Sequence, residues 1–205
     1  MADQTYTAGQ VLTAAQQSQL QANIGMSQIT PTSVTGGTVG TYGTVTTSAT
    51  QSTLTINGVF SALFDSYHIV ISNMTMSSTT SATNFFLKMA TGGVAAGSNY
   101  NYGIARVDLA AGTVSAVNAA LGAAGVLIGS GTGDKFGTSL DINNPFLATH
   151  TIFPNLSFSQ VNTGYCGSGS GMHQTSTSYD GFQLSISGGG TIGLGTVAIF
   201  GYRKG

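Results

Sequence analysis

The sequence predicts an all-β domain, a sandwich or barrel of about eight to ten short strands, behind one short N-terminal helix. Three observations carry this expectation. From about residue 54 onward, short apolar or alternating runs are separated by Gly, Ser and Asn clusters. No segment in that region holds a strong period of 3.6. Charged residues make up 5% of the 205, where roughly a quarter is usual. With thirty Gly and no Glu or Trp, solubility rests on neutral hydrogen-bonding groups and not on a charge shell.

The first element is the helix, over residues 12–25, "LTAAQQSQLQANIG". Thr13 serves as N-cap, Ala and Gln favour the helix, and Gly25 sits where a C′ glycine stops one. Leu12, Gln16, Leu20 and Ile24 recur every four residues, an apolar stripe too narrow to be stable without a partner surface. Residues 1–30 therefore read as an attachment segment, through Leu12, Leu20 and Ile24; the alternative is a helix that plugs one end of its own β domain. Residues 31–53 are rich in Thr, Ser and Gly, as a flexible linker is, while Val34, Val39, Tyr42 and Val45 mark possible first strands.

Residues 54–205 form the β domain. Asn57-Gly58 is a tight-turn dipeptide. Tyr67–Met76 reads as a strand with His68, Val70, Ser72 and Met74 on one face, and "TNFFLKMATGG" as another ended by Gly92-Gly93. "AAGTVSAVNAALGAAG" leaves room for a weak helical turn. Further strands fit "NYGIARVDLA", "AGVLIGS", "FGTSLDIN", "THTIFPNLSFSQV", "GFQLSISGG" and the closing "GTVAIFGY". In that last strand Val197 and Ile199 fall on one side, and Ala198, Phe200 and Tyr202 on the other, as in a packed sheet. Arg203 and Lys204 mark where it meets water, and with the chain closing on a strand, attachment is assigned to residues 1–30.

The composition excludes several roles. A formal net charge of −1 from six acidic and five basic residues argues against nucleic-acid binding, which needs clustered cations. Cys166 is the only cysteine, so no intramolecular disulfide forms. No apolar run reaches about 18 residues, the length of a membrane-spanning helix. "MADQTYTAGQ" has neither the basic start nor the apolar core of a secretory signal.

Catalytic signals are sparse, and the expectation is a protein that is not an enzyme and takes no cofactor. His68 and His150 lie in apolar strand contexts and read as structural. His173, in the glycine-rich stretch "GYCGSGSGMHQTSTSYDG", is the histidine expected to be most exposed. No HxH, HExxH or CxxC spacing exists, so no metal site is expected. The six Asp are scattered singly; Asp134 and Asp141 flank a strand as a possible carboxylate pair, with turn capping the alternative. "GSGTGDKFGTS" lacks the GxxxxGK[ST] order and a following helix, and reads as a hairpin loop. Two glycosylation sequons, at Asn73 and Asn155, fall in strands and are disregarded.

What remains is surface suited to binding. Tyr100 and Tyr102 in "SNYNYG", with Tyr165, His173 and Tyr179 in the late glycine-rich stretch, offer aromatic faces beside polar groups. Such residues serve glycan recognition and subunit packing alike. Too few Lys and Pro are present to protect many sheet edges, so self-association into a homo-oligomer is expected, most simply a trimer. Association through neutral contacts should change little with ionic strength.

Several stretches resemble a known group. "YTAGQVLTAAQQSQLQANI" is similar to the N-terminal segment of many tailed-bacteriophage virion proteins, where an "FTAGEVLTAADVN"-like stretch opens the chain. "FDSYHIVISNMTMS", "FFLKM", "NYNYG", "NPF" and "GTVAIFGYRKG" resemble the β domain of phage fibre and other structural virion proteins. The family's closing pattern often reads "GTIRVYGYR", and Ala198 stands where it has Arg, which removes a charge from the last strand. The resemblance implies a jelly-roll-like β-sandwich in a trimer, held to the particle by the N-terminal segment and made in the host cytoplasm. Three roles follow: a tail or head fibre displaying its β domain to host glycan, a capsid decoration (cement) protein, or a virion enzyme degrading polysaccharide.

Overall fold

A computed structural model describes residues 25–77, 84–130, 135–160, 165–187 and 189–203, with Val11, Thr13 and Ala14. The helix expected over 12–25 falls almost wholly outside the described residues, and Leu12, Leu20 and Ile24 with it. Gly25, expected at its end, has φ +72°.

The strands, in chain order, begin with β1 (Met26–Gln28), β2 (Ser33–Thr35), β3 (Gly37–Val39), β4 (Val45–Thr47) and β5 (Thr53–Asn57). Then come β6 (Phe64–Ser77), β7 (Asn84–Thr91), β8 (Val94–Ala95), β9 (Tyr100–Asp108), β10 (Val114–Ala123) and β11 (Val126–Ser130). The chain continues through β12 (Lys135–Asn143), β13 (Thr151–Gln160), β14 (Tyr165–His173), β15 (Gly181–Ile186), β16 (Thr191–Ile192) and β17 (Thr196–Arg203). Several are only two or three residues long, which is why more strands are found than the sequence predicts. Residues 31–53 contribute β2, β3 and β4.

The strands form a β-sandwich. An eleven-stranded sheet runs β10-β9-β14-β13-β12-β6-β17-β4-β3, with β1 beside β17 and β16 beside β6. A six-stranded sheet runs β11-β7-β15-β5-β2, with β8 beside β7. The pairs nest in sequence: β6 with β17, β7 with β15, β9 with β14 and β12 with β13. That is a long hairpin rolled up on itself, the logic of a jelly roll. The core lies between the sheets and includes Leu54, Ile56, Tyr67, Phe85, Leu87, Phe153, Phe182 and Ile199, each fully buried.

The last strand is paired on both sides, against β6 and against β1 and β4. Val197 and Ile199 are fully buried, each contributing about 1.5–3 kcal/mol of apolar transfer. Strand β6 departs from simple alternation. Tyr67, Ile69 and Ile71 point into the core while His68, Val70 and Ser72 point out. At Asn73 (φ +51°) a bulge sets Ser72 and Asn73 against Gly137, since Ile71 pairs Thr138 and Met74 pairs Phe136. Met74 and Met76 are thereby buried, so Met74 does not share the face of His68 as its spacing predicts.

Other local expectations change for the same long-range reasons. Gly92 (φ +56°) and Gly93 (φ +85°) do make the two-residue turn joining β7 to β8. Asn57-Gly58 does not close a hairpin, because β5 and β6 belong to opposite sheets. Nor does "GSGTGDKFGTS", since β11 and β12 are also in opposite sheets; Asp134 within it lies outside the described residues. "AAGTVSAVNAALGAAG" holds no helical turn but strand β10.

Candidate functional site

The outer face of the eleven-stranded sheet is built from rows of side chains set by the strand register. One row reads Phe200, His68, Asp141, from Phe200↔His68 and His68↔Asp141, and Asn155 joins it from β13 through a hydrogen bond. The row on one side reads Met26, Tyr202, Ser66, Asn143, Ile152, Met172. On the other side lie Ala198, Val70, Ser139, Ser157, Ser168 and Ala105. In these rows Asp141 is the only formally charged side chain, apart from what His68 carries when protonated.

Asp141 organises the centre. Its Oδ1 lies 2.7 Å from His68 Nδ1, and its Oδ2 accepts from Asn155 Nδ2 at 2.8 Å. With Nδ1–H donated to the carboxylate, Nε2 accepts from the Ser139 hydroxyl at 3.2 Å. These are the residue types of a hydrolytic relay. Ser139, however, sits in the interior of β12, paired to Val70 on one side and Ser157 on the other. The backbone N–H groups that would stabilise an oxyanion are directed into those two ladders. The cluster therefore holds hydrogen-bonding groups in fixed positions beside an aromatic ring.

Three of the aromatic residues expected at the surface are inside. His173, expected to be the most exposed histidine, is 1% exposed, Tyr100 is fully buried and Tyr179 is buried. The His173 ring stacks on Tyr100 with centroids 4.2 Å apart, and its Nε2 lies 2.6 Å from the Tyr179 hydroxyl. Its Nδ1 is 3.3 Å from the Asn99 carbonyl, so Nδ1–H donates there and Nε2 accepts from Tyr179. Burial lowers the His173 pKa from 6.5 and raises those of Tyr100 and Tyr179. The Tyr100 hydroxyl accepts from the Met89 N–H at 2.7 Å and donates to the Ala96 carbonyl at 3.3 Å. Burial removes these three from any surface role.

The cause is that the glycine-rich stretch is strand β14 and not a loop. Gly167, Gly169 and Gly171 face inward, where side chains do not fit: a Cβ on Gly169 would meet Ile104 Cα at 2.8 Å, and one on Gly171 the Asn101 carbonyl oxygen at 2.7 Å. Ser168, Ser170 and Met172 face outward. The alternation G-S-G-S-G is a period of two, and was the signal available for this strand. Tyr165 is half-buried beneath the Arg106 guanidinium, 4.2 Å from its ring centroid. Tyr102 is half-buried; its side chain packs against the core on the inner face, and its backbone borders a surface hollow on the outer one. His150, expected in an apolar strand, is exposed just before β13.

That hollow has a volume of about 600 Å³ and is lined by Asn101, Tyr102, Gly103, Asn118, Ile152 and Met172, among others. A second, groove-like hollow of about 730 Å³ lies near the bulge, lined by Asn73, Thr75, Met76, Lys135 and Leu194, among others. Among the described residues no group of three or more His, Cys, Asp or Glu is placed to hold a metal. No helix among them is long and apolar enough to cross a membrane.

No protein-family model and no curated protein matches the chain. Solved structures similar to it include the CBM2 module of the evolved Dit of Lactobacillus casei BL23 phage J-1. That likeness has 13% identity, 88% of this chain, 97% of that one and a TM-score of 0.33. The binding domain of botulinum neurotoxin DC in complex with SialylT matches at 11% identity, over 88% and 44% of the chains, with a TM-score of 0.25. The CBM22-1–GH10 modules of Clostridium thermocellum xylanase 10B, complexed with xylohexaose, match at 10% identity, over 88% and 26%, with a TM-score of 0.22. Likenesses this distant carry no argument about ligand or role.

Proposed function

We propose that this chain is a non-catalytic structural component of a bacteriophage particle. In this reading it is a trimeric tail- or head-fibre protein held through its N-terminal segment, and its β-sandwich recognises neutral host-surface glycan. The phage assignment is supported by the resemblance at both ends of the chain. The glycan assignment is carried by one observation, the row of Phe200, His68, Asp141 and Asn155 on the outer face. A sugar offers an apolar C–H face and adjacent hydroxyls; Phe200 suits the first, and the Asp141 carboxylate with the Asn155 amide suits the second. Hydrogen bonds to a charged acceptor contribute about 1.5–3 kcal/mol each, enough to select among sugars. The scarcity of cations on this face disfavours anionic polymers.

The test is an array of host-surface oligosaccharides probed with wild type, Asp141→Asn and Ser139→Ala. Wild type and Ser139→Ala should bind neutral glycans alike, and Asp141→Asn should lose at least about tenfold. Binding to none of the glycans, or equal binding by Asp141→Asn, defeats the reading. A second reading, capsid decoration, is favoured by Met26, Tyr202 and Ile152, which are 37%, 38% and 41% exposed in one row and suit a protein partner. Copy number per particle separates the two: tens or fewer for a fibre, hundreds for a lattice-capping protein.

A further inference from the structure

We infer that the hollow between β9, β10, β13 and β14 is a subsite for the acetamido group of an N-acetylated sugar. This inference rests on the glycan-binding reading above and adds the class of sugar.

The hollow is an extension of the outer face, reached along the row that ends Ile152, Met172, Asn101. Its lining contains no charged side chain, which disfavours carboxylated or phosphorylated sugars. It combines two carboxamides, Asn101 and Asn118, with the apolar surfaces of Ile152, Pro154 and Met172. An acetamido group has the matching parts: an N–H donor, a carbonyl acceptor and a methyl.

Asn101 supplies the second observation. Its Oδ1 is shielded from water and has no hydrogen-bond partner, an unfavourable state for an amide in a folded chain. A carboxamide that is not anchored turns about its terminal torsion easily. It can therefore present either end to a ligand amide, which answers both by offering a donor and an acceptor. A plain hydroxyl fills less of the hollow and leaves the apolar wall uncovered.

The floor of the hollow is Gly103. A Cβ there would meet nothing within 4 Å, and its cross-strand neighbours are Asn118 and Ser170. Gly103→Val should therefore fill the space without disturbing the strand, because β-branched residues suit exposed strand positions. Gly169, its diagonal neighbour on β14, has no such room.

The experiment is a titration of the full chain with N-acetylated gluco-, galacto- and manno-oligosaccharides, each beside its parent sugar. N,N′-diacetylchitobiose and cellobiose form one such pair. At least one N-acetylated member should bind about tenfold tighter than its parent, and its acetyl methyl should receive the strongest saturation transfer in ligand NMR. Gly103→Val should abolish that preference while leaving the melting temperature unchanged. Equal affinity for every pair overturns the acetamido subsite while the glycan reading stands. So does a preference that survives Gly103→Val. Binding of neither member of any pair overturns both.

Discussion

His68 and His173 each stand beside an aromatic residue and a hydrogen-bonding partner, yet they occupy opposite environments. His68 is on the outer face, a quarter exposed, against the Asp141 carboxylate. His173 is sealed between Tyr100 and Tyr179, its ring nitrogens satisfied by a carbonyl and a phenol. A buried site of neutral partners, as around His173, disfavours the charged ring. The first histidine is thus part of the outer surface, and the second is part of the core that holds β9, β14 and the following segment together.

The largest expected effect comes from His173→Ala. It leaves a cavity against Tyr100 and strands the Tyr179 hydroxyl, so a loss of about 3–4 kcal/mol is expected by chemical denaturation. A loss below about 1 kcal/mol would show that the buried cluster is not a unit. Next in size is acid sensitivity. The folded pKa of His173 lies below the unfolded value near 6.5. Above that pH both states are neutral and the full stability is present. As pH falls through 6.5 the unfolded chain takes up a proton that the folded chain refuses, and stability declines. Melting curves between pH 7.5 and 5 should show a smaller decline for His173→Gln than for wild type; equal slopes would place the acid-sensitive group elsewhere. The smallest effect belongs to the surface pair. Asp141→Asn should cost only about 0.5–1 kcal/mol, the net worth of one ordinary hydrogen bond. A cost matching that of His173→Ala would mean the outer cluster is structural, and the contrast between the two histidines would collapse.

Much of the strand layout was legible in the chain. Alternation in "TVAIFGYR" placed Val197 and Ile199 inward, and Gly92-Gly93 marked its turn by the positive φ that two successive glycines tolerate. The candidate site was not legible in the same way. Phe200, His68, Asp141 and Asn155 are distant in sequence and become neighbours only through the pairing of β17, β6, β12 and β13. The aromatics near the late glycine-rich stretch misled for a related reason: glycine there serves close packing of β14 on β9, not exposure, so Tyr100, His173 and Tyr179 are drawn inside.

By itself the sequence determined the class of this protein. A chain with 5% charged residues and short apolar runs between Gly, Ser and Asn clusters can bury its apolar side chains in a β-sandwich, but lacks the sustained period of 3.6 that packed helices need. Only the tertiary structure decided which face each residue occupies. Side chains alternate with a period of two, so one bulge at Asn73, or one choice of partner strand, moves a residue from water to core. Those choices are made by contacts between strands far apart in the chain.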